Sequence, residues 1–214
     1  MSDGIQWLVG RDNWMSSVVF ARGISAQELA FRMGADPDGA TEPITDAQAW
    51  GLDMDMYRPG DDGDGVVRVG ECAGWSFAVE YGDSTGGDLL TEISRNGVEA
   101  VRYVPIREHP PATVDYARDG VVLCGFGLAE ENQRFGTDPD LLIADLIAGQ
   151  VLSRDGETLL APRDPDGDHE DFRVTYRRTL GVVERRFGLS LPRACLDEGL
   201  LPAYAVRGTP NMRT

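Results

Sequence analysis

The residues that most resemble a catalytic motif lie in a glycine-rich turn near the middle of the chain. Gly82-Asp83-Ser84-Thr85-Gly86 satisfies the pattern G-x-S-x-G between a strand-like stretch and a short helix-like one. In a nucleophile elbow this pattern holds a serine on a strained turn, where small flanking residues avoid clashes. A triad also needs an acid and then a histidine downstream, and Asp138 or Asp145 followed by His169 fits that order. The pattern thus permits a serine hydrolase with Ser84 as nucleophile.

The segments that follow this turn oppose the hydrolase interpretation. They read as β-hairpins, because ATVDYAR and VVLCGFG are joined by Asp119-Gly120, a pair that tolerates the positive φ angles of a tight turn. A hydrolase sheet would instead alternate strands with helices. The simpler interpretation of Gly82–Gly86 is a polar turn that leads into a helix. The chain also contains no lysine, which excludes Schiff-base chemistry and a P-loop.

No set of metal or cofactor ligands is complete in the sequence. Asp164-x-Asp166-x-Asp168 begins like an EF-hand loop, but His169 occupies the position that needs glycine. His109 and His169 have no Cys or His neighbour at ligand spacing. The three cysteines are far apart, which argues against a disulfide framework. We therefore expect no metal and no cofactor.

The acidic charge is concentrated in two segments of the chain. The net charge is −16; residues 34–65 contain nine acidic residues and one arginine, and residues 130–171 contain twelve and three. Such a field repels a nucleic-acid backbone and attracts a basic protein. The first segment also offers aromatic side chains beside its acids. The residues predicted to bind a partner are Trp50, Asp53, Asp55, Tyr57, Asp61, Asp62 and Asp64.

Patterns of alternation and capping predict the scaffold that positions these residues. WSFAVEY, from Trp75 to Tyr81, alternates apolar with smaller or polar residues, as expected of a strand in a sheet with one solvent-exposed face. Capping boxes at Ser25–Glu28 and Thr45–Gln48 predict helix starts, and an apolar stripe predicts a long helix over Asp171–Phe187. We expect an α+β fold with a mostly antiparallel sheet of about five or six strands and helices packed on one side.

The chain is predicted to form a single domain over residues 1–214, with acidic loops at 53–65 and 153–170. Its first residues, MSDGIQWLVGRDNW, lack a basic leader with an apolar run, and no stretch approaches the roughly 20 apolar residues of a membrane span. We expect a cytoplasmic protein that binds neither membranes nor nucleic acid.

Several stretches together resemble a known family. FARGISAQELAFRMGADP, GWSFAVEYGD, FGTDPDLLIADL and RRTLGVVERRFGLSLPRACLDEGLL are similar, in order and spacing, to the actinobacterial family called domain of unknown function 6461. The similarity extends from about Trp14 to Ala205. It implies a single α+β domain and supplies no activity.

The expected function is a non-enzymatic interaction module, for example an inhibitor of the immunity or antitoxin type, that offers its acidic loops to a basic protein partner. The alternative is the serine hydrolase that uses Ser84.

Overall fold

Eight antiparallel strands form one sheet in the order β2-β8-β3-β4-β1-β5-β6-β7. The computed structural model describes residues 3–11, 15–56, 65–82, 85–106, 111–160 and 172–206. The strands are β1 Ser17–Arg22, β2 Ala35–Ala40, β3 Gly65–Cys72, β4 Trp75–Gly82, β5 Glu99–Val104, β6 Thr113–Arg118, β7 Val121–Gly127 and β8 Ala203–Val206. The helices are a 3₁₀ helix at Gln6–Gly10, then α1 Ala26–Arg32, α2 Asp46–Met56, α3 Leu90–Ile93, α4 Ile143–Ala148, α5 Phe172–Phe187 and α6 Arg193–Asp197.

The α+β class and the antiparallel sheet are confirmed, but the predicted count of five or six strands is wrong. The two strands that sequence patterns missed are β2 and β8. β2 has the sequence ADPDGA, which reads as a turn because it lacks β-branched and aromatic residues. β8 has only four residues, and it pairs with β3 through contacts distant in sequence, such as Gly65 with Val206. Local propensity predicts neither strand.

Helices cover both faces of the sheet, so the prediction that they pack on one side is also wrong. Apolar residues of α1 and α3 pack against one face, among them Leu29, Met33, Leu90 and Ile93. The core on the other face includes residues of α2, α4, α5 and α6, such as Leu180 in the middle of α5. A sheet covered on both sides needs apolar residues on both, and the strands supply them by simple alternation.

The central strand β4 shows the consequence of this double cover. Trp75 and Phe77 belong to the α5 side, as the alternation predicts, but Ser76 and Glu80 on the opposite face are also buried rather than solvated. The side chains of Ser76 and Glu80 each have a hydrogen-bond partner inside the protein. Ser76 donates to the carbonyl of Ile24 at 2.7 Å, and Glu80 accepts from the amide of Gly86 at 2.8 Å. The polar side chains of β4 therefore form hydrogen bonds inside the protein. The solvent-exposed face that the alternation predicted is absent from this strand.

Capping residues fix where α1 and α2 begin. The Ser25 hydroxyl accepts a hydrogen bond from the amide of Glu28 at 3.1 Å. In α2 the bonds are reciprocal, because Gln48 donates its amide to Thr45 and returns its side-chain oxygen to the Thr45 amide. α2 then continues to Met56. The loop predicted from residue 53 is therefore helical over its first four residues, because helical bonding continues past the point where composition turns acidic.

The two edges of the sheet differ. The outer side of β7 is covered by the chain that follows it, since Gly125 and Phe135 exchange backbone hydrogen bonds at 3.0 and 2.9 Å. The other edge is β2, whose register with β8 shifts between Ala35 and Ala40. None of the helices in the described ranges is long and apolar enough to cross a membrane.

A completely buried guanidinium connects the sheet to the helices on the α5 side. Arg68 in β3 donates to the hydroxyl of Tyr81 at 3.1 Å and lies 3.4 Å from the carboxylate of Asp46. It also donates to two carbonyls at the end of α6, those of Leu196 at 3.2 Å and Gly199 at 2.7 Å. Arg68 thus bonds to β4, α2 and α6 at once, which a side chain with a single donor, or with none, could not do.

We predict that Arg68→Met lowers the free energy of unfolding by about 3 kcal/mol, because it removes the donor to the carbonyls of Leu196 and Gly199 and one of the cationic partners of Asp46. Urea denaturation followed by circular dichroism measures this loss. The matched control is Arg193→Met, since Arg193 pairs with Asp197 but its side chain is 63% exposed. The control should cost less than about 1 kcal/mol. Equal losses in the two variants would contradict a special role for Arg68.

Candidate functional site

Four exposed carboxylates of the first acidic segment form the candidate site, which we call the acidic edge. Its residues are Asp36, Asp38, Glu42 and Asp55. Within the described parts of the chain, none of the four has an ion pair with an arginine. The Asp36 carboxylate accepts a hydrogen bond from the backbone amide of Asp38 at 3.0 Å, which orders the Asp36 side chain without neutralising it. Their charge is therefore free to act on a partner.

The register of the sheet brings most of the acidic edge to one end of the molecule. Gly65 of β3 is paired with Gly82 on one side and with Val206 on the other, and Val206 is paired with Ala35. β2 begins at this end of the sheet with Ala35, and Asp36 and Asp38 follow Ala35 along the strand. The last turn of α2 is at the same end, because the carboxylate of Asp53 contacts Gly82. Asp55 is two residues further along α2.

The glycine turn also lies at this end, and hydrogen bonds to buried groups fix its backbone. Gly82 has φ +74°, and a side chain there would collide with the Asp53 carboxylate. Thr85 donates its hydroxyl to the carbonyl of Met33 at 3.0 Å, and the buried amide of Gly86 donates to Glu80 at 2.8 Å. Each of these bonds uses a polar group of the turn to fix the backbone. The described residues of the turn therefore have structural partners.

Glu80 belongs to a row of internal charges beneath the turn. The Arg102 guanidinium lies 4.0 Å from the Glu80 carboxylate and 3.7 Å from that of Asp115. Burial raises the pKa of the Asp115 carboxyl, and the Arg102 charge and hydrogen bond only partly oppose this effect. One arginine is thus shared by two carboxylates within the sheet, on the face covered by α1 and α3. This row supports the turn and adds little to the external field.

Trp50 is held against the core. It is half-buried, and its ring meets that of Tyr81 edge to face at a centroid distance of 5.3 Å. The exposed apolar residue of α2 is instead Met54, which is 70% exposed and lies between Asp53 and Asp55. Sequence reasoning missed Met54 because it treated residues 53–65 as a loop. A helix through Met56 turns Met54 outward.

Within the described part of the second acidic segment, three carboxylates are paired with the protein's own arginines. Arg134, whose side chain is 6% exposed, lies 3.1 Å from the Asp140 carboxylate and 3.5 Å from that of Glu157. Arg186 lies 3.6 Å from Asp145. Asp155 accepts hydrogen bonds from Ser153 and Thr158, and these bonds hold the pKa of its carboxyl well below its ordinary range. Residues 153–160 therefore form a turn that is stabilised by hydrogen bonds among its own residues.

The remaining predicted site residues divide into two groups. The first group lies outside the described residues and consists of Tyr57, Asp61, Asp62, Asp64, Ser84 and His169. Asp138 is described, and it follows β7, since its amide donates to the carbonyl of Leu123 at 2.8 Å. Four strand spacings separate β7 from β4, the strand that leads to Ser84. At about 4.8 Å per spacing, the two strands are roughly 19 Å apart. The structure does not bring Asp138 to the glycine turn.

Among residues 3–11, 15–56, 65–82, 85–106, 111–160 and 172–206, no three His, Cys, Asp or Glu side chains are grouped so that they could hold a metal ion.

The fold and this surface define an α+β protein with an eight-stranded antiparallel sheet and an acidic edge at one end. The chain belongs to the family of unknown function DUF6461, whose family model matches residues 8–180. Comparison with curated proteins and with solved structures gives no match. The family membership confirms the resemblance found in the sequence. The function must be argued from the surface itself.

We predict that Glu80→Ala destabilises the glycine turn by about 2 kcal/mol, because it leaves the buried amide of Gly86 without an acceptor. Glu80→Gln retains the side-chain oxygen and should cost less than half as much. Urea denaturation measures the global effect, and hydrogen exchange of the Gly86 amide measures the local one. An equal loss in both variants would show that the charge of Glu80, and not its hydrogen bond, supports the turn.

Proposed function

We propose that this protein is a cytoplasmic, non-enzymatic interaction module that presents its acidic edge to a basic protein partner. The observation that carries the proposal is the contrast between the two acidic segments. Asp36, Asp38, Glu42 and Asp55 are exposed and have no arginine partner in the described chain, whereas the carboxylates near Arg134 are paired internally. Carboxylates that have no arginine partner inside the protein can form ion pairs with a basic protein outside it.

Electrostatics and shape support a protein partner over a small ligand. Clustered surface charge accelerates the encounter with an oppositely charged protein by about ten- to a thousandfold at low ionic strength. Affinity also requires apolar contact, which charge alone does not supply. Met54 provides an adaptable apolar side chain at the same end of the sheet, between two carboxylates. A basic surface with an apolar centre is the complementary partner.

An inhibitor of the immunity or antitoxin type is the class of interaction module that fits this description. Such a protein needs a rigid scaffold and an acidic surface that covers a basic site on its target. The rigid scaffold is the sheet with both faces covered, and the acidic edge is the proposed surface. The hydrolase that uses Ser84 remains the alternative, and nothing in the described geometry favours it, because Asp138 is four strands from β4.

We predict that neutralising the acidic edge abolishes partner capture. The variant is D36N/D38N/E42Q/D55N, compared with the unaltered protein as affinity bait in lysate from the source cells at 50 mM and 500 mM salt. A basic protein should be retained by the unaltered protein at low salt and released at high salt, because salt screens exposed charges. The four-site variant should retain at least about tenfold less of it.

The matched control is D140N/E157Q, which removes two exposed carboxylates that Arg134 already pairs. This control should capture the partner as well as the unaltered protein, with folding of both variants checked by circular dichroism. Equal capture by the four-site variant and the unaltered protein would refute the proposal, as would loss of capture in the control alone.

The hydrolase alternative has its own expected result. We predict that the purified protein hydrolyses p-nitrophenyl acetate no faster than Ser84→Ala at the same concentration, because the proposed module lacks a nucleophile. The measurement is the release of p-nitrophenol at pH 8. Turnover that disappears in Ser84→Ala would favour the hydrolase and remove the interaction module from first place.

A further inference from the structure

A second feature of the molecule is a glutamate buried between the sheet and α5. Glu131 lies in the segment between β7 and α4, and its side chain is completely shielded from solvent. It is close to the middle of α5, where Thr179 is also fully buried. Neither residue belongs to the acidic edge. A buried carboxyl group in this position requires a physical explanation, because a charge there loses its hydration.

The two oxygens of Glu131 have different surroundings. Oε1 accepts hydrogen bonds from the hydroxyl of Thr179 and from the backbone amide of Ala129, the latter at 3.0 Å. Oε2 is buried and has no hydrogen-bond partner in the described structure. One oxygen therefore joins α5 to the chain after β7, while the other lies in an apolar environment. An ionised carboxylate shares its charge between both oxygens, so the unpartnered one disfavours ionisation.

Among the described residues, no arginine forms an ion pair with the Glu131 carboxylate. Arg134 is the nearest arginine in the same segment, but it donates to the main-chain carbonyls of Glu131 at 2.7 Å and Gly156 at 3.2 Å and pairs with other carboxylates. The other titratable groups that act on the site are Glu130, which is adjacent and exposed, and Tyr176, which is one turn earlier on α5. Both of these groups are neutral or negative. Burial raises the pKa of Glu131, and the hydrogen bonds from Thr179 and Ala129 only partly offset that effect.

We propose that Glu131 is a proton-dependent clamp on α5: the protonated carboxyl group allows α5 to pack on the sheet, and loss of the proton loosens that packing. The direction of the pH effect follows from linkage. Because the folded protein binds this proton more tightly than the unfolded chain does, the stabilisation is complete below the ordinary pKa of glutamate. It is lost as the pH rises through the higher pKa of the folded state.

Loosening α5 changes what the protein exposes. The buried stripe of α5 includes Leu180, Val183 and Phe187. Phe187 also packs edge to face on Trp75, and its carbonyl accepts the Trp75 indole N–H at 3.1 Å. Movement of α5 therefore uncovers apolar surface on a face of the sheet that is closed when Glu131 is protonated. The clamp would make access to this face dependent on pH, independently of the acidic edge.

Hydrogen exchange measured by mass spectrometry between pH 5 and pH 8 tests the clamp. The readout is the protection factor of α5 amides, corrected for intrinsic exchange and expressed relative to β4 amides in the same sample. For the unaltered protein we expect relative protection to fall by up to about tenfold per pH unit between the ordinary pKa of glutamate and the higher folded-state pKa of Glu131, and to level off above the latter. Glu131→Gln, which cannot ionise, should show no such fall.

The matched control is Glu130→Gln, since Glu130 is the exposed neighbour of the same residue type. It should retain the pH dependence of the unaltered protein. The clamp is refuted if Glu131→Gln loses α5 protection with pH as the unaltered protein does, or if protection increases with pH in the unaltered protein.

A direct titration keeps the test decisive if Glu131→Gln does not fold. The carboxyl carbon of Glu131 in the unaltered protein, labelled with ¹³C-glutamate, can be followed by NMR over the same pH range, with Glu130→Gln used to assign the neighbouring resonance. The midpoint for Glu131 should lie above that of exposed glutamates in the same spectrum. A midpoint at or below theirs would contradict the clamp.

Discussion

The structure depends on the burial of one positive charge. Arg68 is completely enclosed, and a guanidinium in that position is tolerated only if its donors are used. Its two terminal nitrogens are used in bonds to Tyr81, Asp46 and the carbonyls at the end of α6, whereas its Nε is buried without a partner in the described structure. Asp46 is also paired with Arg11, which lies 3.0 Å from Asp197 of α6. The planar five-donor fork of arginine suits this convergence better than an ammonium would. The N-terminal segment, α2 and α6 are thereby held on one strand.

Charge inside the protein and charge outside it have different roles. Arg68 with Asp46, and Arg102 with Glu80 and Asp115, are arranged on opposite faces of the sheet, and each arginine is close to at least one carboxylate. Such pairs specify where helices and turns pack. The net charge of −16 must then be carried by carboxylates that have no internal partner, and the acidic edge gathers four of them. The field of the molecule is thus uneven because its interior is close to neutral.

Local patterns in the sequence predicted the central strands of the sheet, both capping boxes and the long helix, since alternation, caps and apolar stripes depend on near neighbours. They did not predict β2 and β8, whose pairing depends on residues far along the chain. The cover on the α1 face of the sheet was missed because Ser76 and Glu80 were read as solvent-facing polar residues. In the site, the acids were identified by composition, while Met54 required the knowledge that α2 continues to Met56. Internal pairing by Arg134 is likewise a tertiary property.

The irregular outer strand β2 has a further consequence. An open strand presents unpaired amides and carbonyls that can recruit the strand of another molecule, and natural proteins blunt it with charge and proline. β2 has Asp36, Pro37 and Asp38 in succession, and its bulge interrupts a straight ladder. Mutual repulsion between identical copies therefore protects the molecule from stacking into fibrils at high concentration. Asp36 and Asp38 also belong to the surface that we propose for partner binding, so a substitution that changes recognition there would also change colloidal stability.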